Sequence, residues 1–214
     1  MKVVLTIDNG PYPDVTPTVL DALAERNIKA VFFVIGKRLD EPEYRALAER
    51  AHAEGHIVAN HSFHHETLLG DFASDAEAVA EIALAQDRLN KIGASHRLFR
   101  PFAGMGQIND RLLHAAALDY LCREKFTLAL WNSVPRDWER PNDWDVVALS
   151  DVQTRDSSVI VVHDLPTGAM TRLGAFIDGV HELGGSFSTD LPDDCAPIRG
   201  GRAAPAVESL VRLP

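Results

Sequence analysis

The sequence predicts a single α/β domain built as a small or incomplete (β/α) barrel, and three observations predict it. Short apolar runs alternate with segments of helical periodicity along the chain, which makes parallel βαβ units the economical arrangement. The runs Ala30–Ile35 and Ser158–Val162 do not alternate with polar residues, so both faces of those strands are expected to be covered, as in a parallel sheet. At 214 residues the chain is long enough for one full core, and it shows no repeat, low-complexity segment or internal linker.

In order, Val3–Ile7 reads as the first strand, closed by the turn residues Asn9, Gly10 and Pro11. In the helix that follows, Thr16 is suited to the cap and Pro17 to the first helical position. Val19, Leu20, Leu23 and Ala24 then recur at helical spacing. After the strand Ala30–Ile35, a second helix starts near Pro42, turns Tyr44, Leu47, Ala48 and Ala51 to one face and ends at Gly55. His56–Asn60 is the third strand. Ser74 and Glu77 form a capping-box pair at the head of a third helix carrying Val79, Ile82, Ala83 and Leu89.

Leu98–Phe102 is a short strand, and a fourth helix is expected from near Asn109 with Leu112, Leu113, Ala116, Ala117 and Tyr120 inward. Thr127–Trp131 is a strand, followed by a polar aromatic loop, Asn132–Asn142, and a short helix near Asp143–Gln153. Ser158–Val162 leads to a last long helix with Leu173, Phe176, Ile177, Val180 and Leu183, stopped by Gly184 and Gly185, and Ser186–Ser188 is a final short strand. About seven strands and about six helices suit such a barrel. The domain is expected to span 1–191, and 192–214, rich in Pro, Gly, Arg and Ala, to be an irregular surface tail.

Composition narrows the function. A formal charge of −10 without a basic run disfavours nucleic acid and anionic membrane as partners. Two cysteines, Cys122 and Cys195, do not make a disulfide scaffold and read as reduced thiols. No apolar run approaches the ~20 residues of a membrane helix. Met1-Lys2 runs straight into the first strand with no signal-type apolar region, so a cytoplasmic location is expected.

The residues with chemistry to offer sit just past apolar strands: Asp8 and Asn9, His61, Arg100, Asp137 and His163. In a parallel barrel these strand ends meet on one rim. His61 and His65 are four apart, a spacing that puts both imidazoles on one face of a helical turn, where they can ligate a borderline metal such as Zn²⁺; His64, three apart, is the rival. Asp8 is either a turn former or a general base beside a metal-bound water. His163 is either a strand-end histidine or a general acid for a leaving amine. Arg100 either makes a rim ion pair or holds Asp8 ionised and oriented, and Asp137 is placed to pair with His163 and keep it protonated.

These residues carry a family resemblance over roughly Val3 to Thr189. The chain resembles the polysaccharide deacetylases of the NodB-homology type, carbohydrate esterase family four. The family's Thr-Phe-Asp-Asp-Gly corresponds to Thr6-Ile7-Asp8-Asn9-Gly10, and its His-Ser/Thr-x-x-His matches His61-Ser62-Phe63-His64-His65, which selects His65 over His64. Arg100-Pro101-Phe102-Ala103-Gly104 approximates an Arg-x-Pro-aromatic segment, with Arg100 the matching residue. Asp137-Trp138 and Ile160-Val161-Val162-His163-Asp164 match the last two motifs.

The resemblance implies a distorted (β/α)7 barrel and metal-dependent removal of an acetyl group from an N-acetylated sugar. Asp8 is then the base, His163 the acid, and Asn9, His61 and His65 the ligands of a divalent metal, most simply Zn²⁺. A backbone N–H near Tyr12 is expected to meet the oxyanion, and Trp131, Trp138, Phe102 and Leu165 to wall the acyl or sugar pocket. The chain departs from the family at residue 9, where an amide replaces the carboxylate ligand. Losing even a group that only orients a ligand typically costs about 10–100-fold in metal affinity. Two alternatives follow: a catalytically silent barrel that binds a glycan or metabolite, and a hydrolase of a small non-carbohydrate amide.

Overall fold

The computed structural model describes residues 1–212. Its elements run β1 (Lys2–Asp8), α1 (Thr16–Glu25), β2 (Val31–Val34), α2 (Pro42–Ala53), β3 (Ile57–Asn60), α3 (Asp75–Lys91), β4 (Leu98–Phe99), β5 (Leu113–His114), α4 (Ala115–Arg123) and β6 (Thr127–Leu128). They continue as α5 (Trp144–Gln153), β7 (Ser157–His163), α6 (Leu173–Glu182), β8 (Ser186–Phe187), β9 (Ile198–Arg199), β10 (Arg202–Ala203) and β11 (Val211–Arg212). The main sheet has the order β10-β9-β6-β4-β3-β2-β1-β7, with β8 added at the start of β1, and β5 pairs with β11 separately. Every pairing from β6 to β7 is parallel. The sheet curls into the half-barrel of a distorted (β/α)7 barrel.

The period-two geometry of the strands sorts their residues between two apolar clusters. Val3, Leu5 and Ile7 of β1, Phe32 and Val34 of β2, Val58 of β3, and Ile160 and Val162 of β7 pack with α1, α5 and α6. Val4, Val31, Phe33, Ala59, Val159 and Val161 belong to the opposite cluster. Asp8 has the parity of Val4, His61 that of Ala59, and His163 that of Val161. The two faces of each strand are therefore both largely apolar, with Thr6 an exception whose hydroxyl donates to the Ile160 carbonyl at 2.7 Å, and the residues with chemistry to offer appear where each strand runs out.

Register aligns those ends. Asp8 pairs with Phe33 on one side and His163 on the other. Val34 pairs with Asn60, and Asn60 with Phe99, so His61 and Arg100 both follow paired residues at the same level.

Three expectations are corrected. The fourth helix starts at Ala115, not near Asn109: Leu112 is buried in a turn, its N–H donating to the Asn109 carbonyl at 3.1 Å, Leu113 is buried in β5, and the His114 ring caps the helix by accepting from the Ala116 N–H at 3.2 Å. Thr16 does not cap α1. Its hydroxyl instead donates to Asp164 Oδ2 at 2.5 Å. The segment expected as an irregular surface tail packs into the body: Ile198 pairs antiparallel with Leu128, the Leu130 N–H donates to the Cys195 carbonyl at 2.8 Å, and Val207, Leu210 and Val211 are buried. Its apolar residues are widely spaced among Pro and Gly, which hides a segment that buries side chains one at a time. Residues 213–214 lie outside the described residues. Among the described residues no helix is long and apolar enough to cross a membrane.

Candidate active site

β1 delivers Asp8 to the rim almost fully buried, at 3 % exposure. A buried carboxylate needs a charge partner, and Arg100 supplies it, donating to Asp8 Oδ1 at 2.8 Å and to the Thr6 hydroxyl at 2.6 Å. The guanidinium is itself wholly buried, lies 4.1 Å from the centre of the Phe33 ring, and also reaches the Ala129 and Leu130 carbonyls. Burial lowers the Arg100 pKa and Asp8 opposes that fall. The pair is fixed from several directions, so Asp8 presents its other oxygen, Oδ2, in a set position 3.6 Å from His61 Nε2.

The second segment follows β3. His61 Nδ1 lies 2.8 Å from the Arg100 carbonyl, which can only accept, so Nδ1 carries the proton and Nε2 keeps its lone pair. Burial drives the His61 pKa to about 3 and the His65 pKa to about 2. Both rings are thus neutral, the form a metal needs, and their centres are 4.4 Å apart. His64 points elsewhere, bonded to Glu81.

The third segment follows β7. Asp137, fully buried, accepts the His163 backbone N–H at 2.9 Å and the ring Nδ1–H at 2.8 Å. Burial by itself pulls the His163 pKa down, but that bond and the charges of Asp137, Asp8 and Asp164 outweigh it, and the net direction is up. Trp138 meets the same ring edge-on at 5.0 Å between centres.

One cavity of about 180 Å³ joins Asp8, Asn9, His61, His65 and His163, walled by Phe102, Trp131, Trp138 and Leu165. Met105 and Val134, not anticipated from sequence, complete the apolar side. Tyr12 is the exception. It does not line the cavity, because its N–H donates to the Thr16 hydroxyl at 2.7 Å and its own hydroxyl is held by Arg38. The cavity wall instead carries Phe102 and Ala103, whose backbone N–H groups meet no acceptor among the described residues.

Asn9 sits in the left-handed region at φ 73°, a conformation Asn tolerates better than most residues. Its Oδ1 is buried without a hydrogen-bond partner. An orphaned acceptor beside two neutral imidazoles is a donor set of one oxygen and two nitrogens, which fits a borderline divalent ion. Among the described residues no three His, Cys, Asp or Glu side chains are grouped to hold a metal; the third donor available is the amide.

Behind Asn9, Gly10 is required by close approach: a Cβ there would stand 2.2 Å from Asp164 Oδ2. Asp164 is fully buried, and burial raises its pKa to about 6 against the Thr16 bond.

Comparison with known proteins agrees with this geometry. Residues 1–120 match the family model described as polysaccharide deacetylase. The chain is 37 % identical over 164 residues to a chitooligosaccharide deacetylase of Sinorhizobium fredii, covering 76 % of this chain and 72 % of that one. It is 35 % identical over 164 residues to the peptidoglycan-N-acetylmuramic acid deacetylase PdaC of Bacillus subtilis, covering 76 % of this chain and 32 % of that one. Among solved structures, a T48 deacetylase with substrate superposes with a TM-score of 0.75 at 25 % identity, covering 94 % of each chain.

Proposed function

The chain belongs to the polysaccharide deacetylase family, hydrolases of C–N bonds outside peptides, and from that membership we propose that it removes an acetyl group from an N-acetylated sugar, with Asp8 as base and His163 as acid. The observation that carries this reading is the pairing of Asp8 with His163 in register on adjacent strands, each held by its own buried partner, Arg100 and Asp137. Asp8 is read as the acceptor of a proton and His163 as the donor, across a single cavity.

His61, His65 and Asn9 Oδ1 are the residues that would hold a divalent metal, zinc by the chemistry of the donors. When bound, such an ion acts as a Lewis acid toward the acyl oxygen and makes water more acidic. Asp8 takes the proton from the attacking water through Oδ2, the oxygen Arg100 leaves free. The N–H groups of Phe102 and Ala103, on the cavity wall and without another acceptor among the described residues, are the donors we assign to the developing oxyanion. His163, protonated through its contact with Asp137, gives its Nε2 proton to the departing amine. Trp131, Trp138, Phe102 and Leu165 exclude water from the acyl group. The relatives' names, a chitooligosaccharide and a peptidoglycan deacetylase, favour an N-acetylated amino sugar as substrate.

The test is elemental analysis of protein purified without chelator, followed by an assay of acetate release from short N-acetylated amino-sugar oligomers. Stoichiometric zinc and acetate release are expected; metal-replete protein that deacetylates none of them contradicts the reading. Asn9 favours a second reading, a silent barrel that binds a glycan without hydrolysing it, because the donor set carries no charge. In that case Asn9→Asp raises activity from zero, whereas in the first reading the unaltered protein already turns over.

A further inference from the structure

The turn that carries His61 and His65 is held in a conformation its own sequence does not favour. Ser62 and His65 both occupy the left-handed region, at φ 63° and 60°, and neither is glycine. Such backbone persists only where surrounding structure over-determines it. The main constraint comes from α3. Glu81, 6 % exposed, accepts the Phe63 N–H at 3.2 Å and the His64 N–H at 2.9 Å on Oε2, and the His64 ring Nδ1–H at 2.5 Å on Oε1. Asn60 ties the same turn to the same helix: its amide donates to the Ile82 carbonyl at 2.9 Å while its Oδ1 accepts the Ser62 N–H at 3.0 Å. On the other side Gly36 and Lys37 donate to the Ser62 and Phe63 carbonyls at 2.9 and 3.0 Å.

Glu81 lies on the buried face of α3, between Ala78 and Ala85. A carboxylate there is costly unless paired, and its three donors all come from the histidine turn.

We propose that Glu81 is a positioning residue whose carboxylate gathers the Phe63–His64 backbone and the His64 ring, and so holds the His61 and His65 rings together beside Asp8. It is the function of His64, the histidine left out of the donor set, to complete this clamp. The inference rests on the reading of His61 and His65 as metal ligands.

The experiment compares Glu81→Ala, Glu81→Gln and His64→Ala with the unaltered protein by two readouts. One is amide hydrogen exchange at Phe63 and His64 in metal-free protein. The other is the zinc dissociation constant, measured by competition with a chromophoric chelator on protein whose fold is verified by circular dichroism. Glu81→Ala is expected to speed exchange at both amides and to weaken zinc binding about 10–100-fold. Glu81→Gln, which can accept both backbone N–H groups and still meet the ring, is expected to stay within a few-fold of the unaltered protein, and His64→Ala to fall between the two.

Folded Glu81→Ala protein that binds zinc as the unaltered protein does overturns the proposal. If Glu81→Ala does not fold, His64→Ala decides: unchanged exchange together with unchanged zinc affinity overturns it. Unaltered protein that binds no zinc sinks the reading of the preceding section alone, and the metal-free exchange then decides whether the clamp exists.

Discussion

Asp137 and Arg100 do the same kind of work: each is a buried partner that holds a neighbouring side chain in place, His163 for the one and Asp8 for the other, and Asp137 also bears on the charge of its neighbour. For His163 the sign of the effect can be followed. Its folded pKa is raised, so the protonated acid, and the stability of the ion pair with Asp137, are fully present below the ordinary histidine pKa and are lost as pH rises through the raised value. The alkaline limb of kcat/KM is expected to lie at that raised value. In Asp137→Asn the burial of the ring, the largest influence on it, is left with weaker opposition, and the limb is expected to move to lower pH, which a pH–rate profile reads directly. Arg100 belongs to a buried pair, and removing one partner leaves the other charge uncompensated. Arg100→Met is expected to lower unfolding free energy by about 3–5 kcal/mol, measured by urea denaturation at neutral pH. Most of these residues are legible in the sequence, because each follows an apolar strand. Tyr12 is not, since what removes its N–H from the cavity is a hydroxyl four residues later that the sequence reads as a helix cap. Glu81 leaves a signal that is easy to pass over, a single charge on the buried face of a helix.

At the scale of elements, the parallel strands of the main sheet were readable, their lengths were not, and β5 and β9 to β11 were missed. Long apolar runs such as Ser157–His163 announce themselves, whereas β4 and β6 are two residues each and owe their existence to neighbours across the sheet. The fourth helix starts late because Leu113, which suits a helical apolar face, is claimed by β5 and its partner β11, and Leu112 lies in the turn before it. That pairing involves residues nearly a hundred positions apart, and local periodicity carries no trace of it. The C-terminal segment teaches the same point: Ile198 is fully buried in the cluster that contains Phe99 and Leu128, the strands on which Arg100 and the cavity wall depend. Ile198→Ala is expected to cost about 2–5 kcal/mol, seen as a lowered midpoint in chemical denaturation. A surface tail would show no such loss.

On the scale of the whole molecule, the C-terminal ends of the parallel strands gather Asp8, Asn9, His61, His65 and His163 around one cavity, past strand interiors that are largely apolar on both faces. The fold class and the rim follow from sequence order, because parallel strands put all their C-terminal ends together, whereas the roles proposed for Asp8 and His163 come from the family resemblance. What sequence order leaves open is the meaning of one atom, Asn9 Oδ1, buried and without a partner. The most direct test measures acetate released from a short N-acetylated amino-sugar oligomer by zinc-loaded protein, side by side with its Asn9→Asp variant. The account predicts release by the unaltered protein, with the variant differing only in degree. Acetate from Asn9→Asp and none from the zinc-loaded unaltered protein would contradict it.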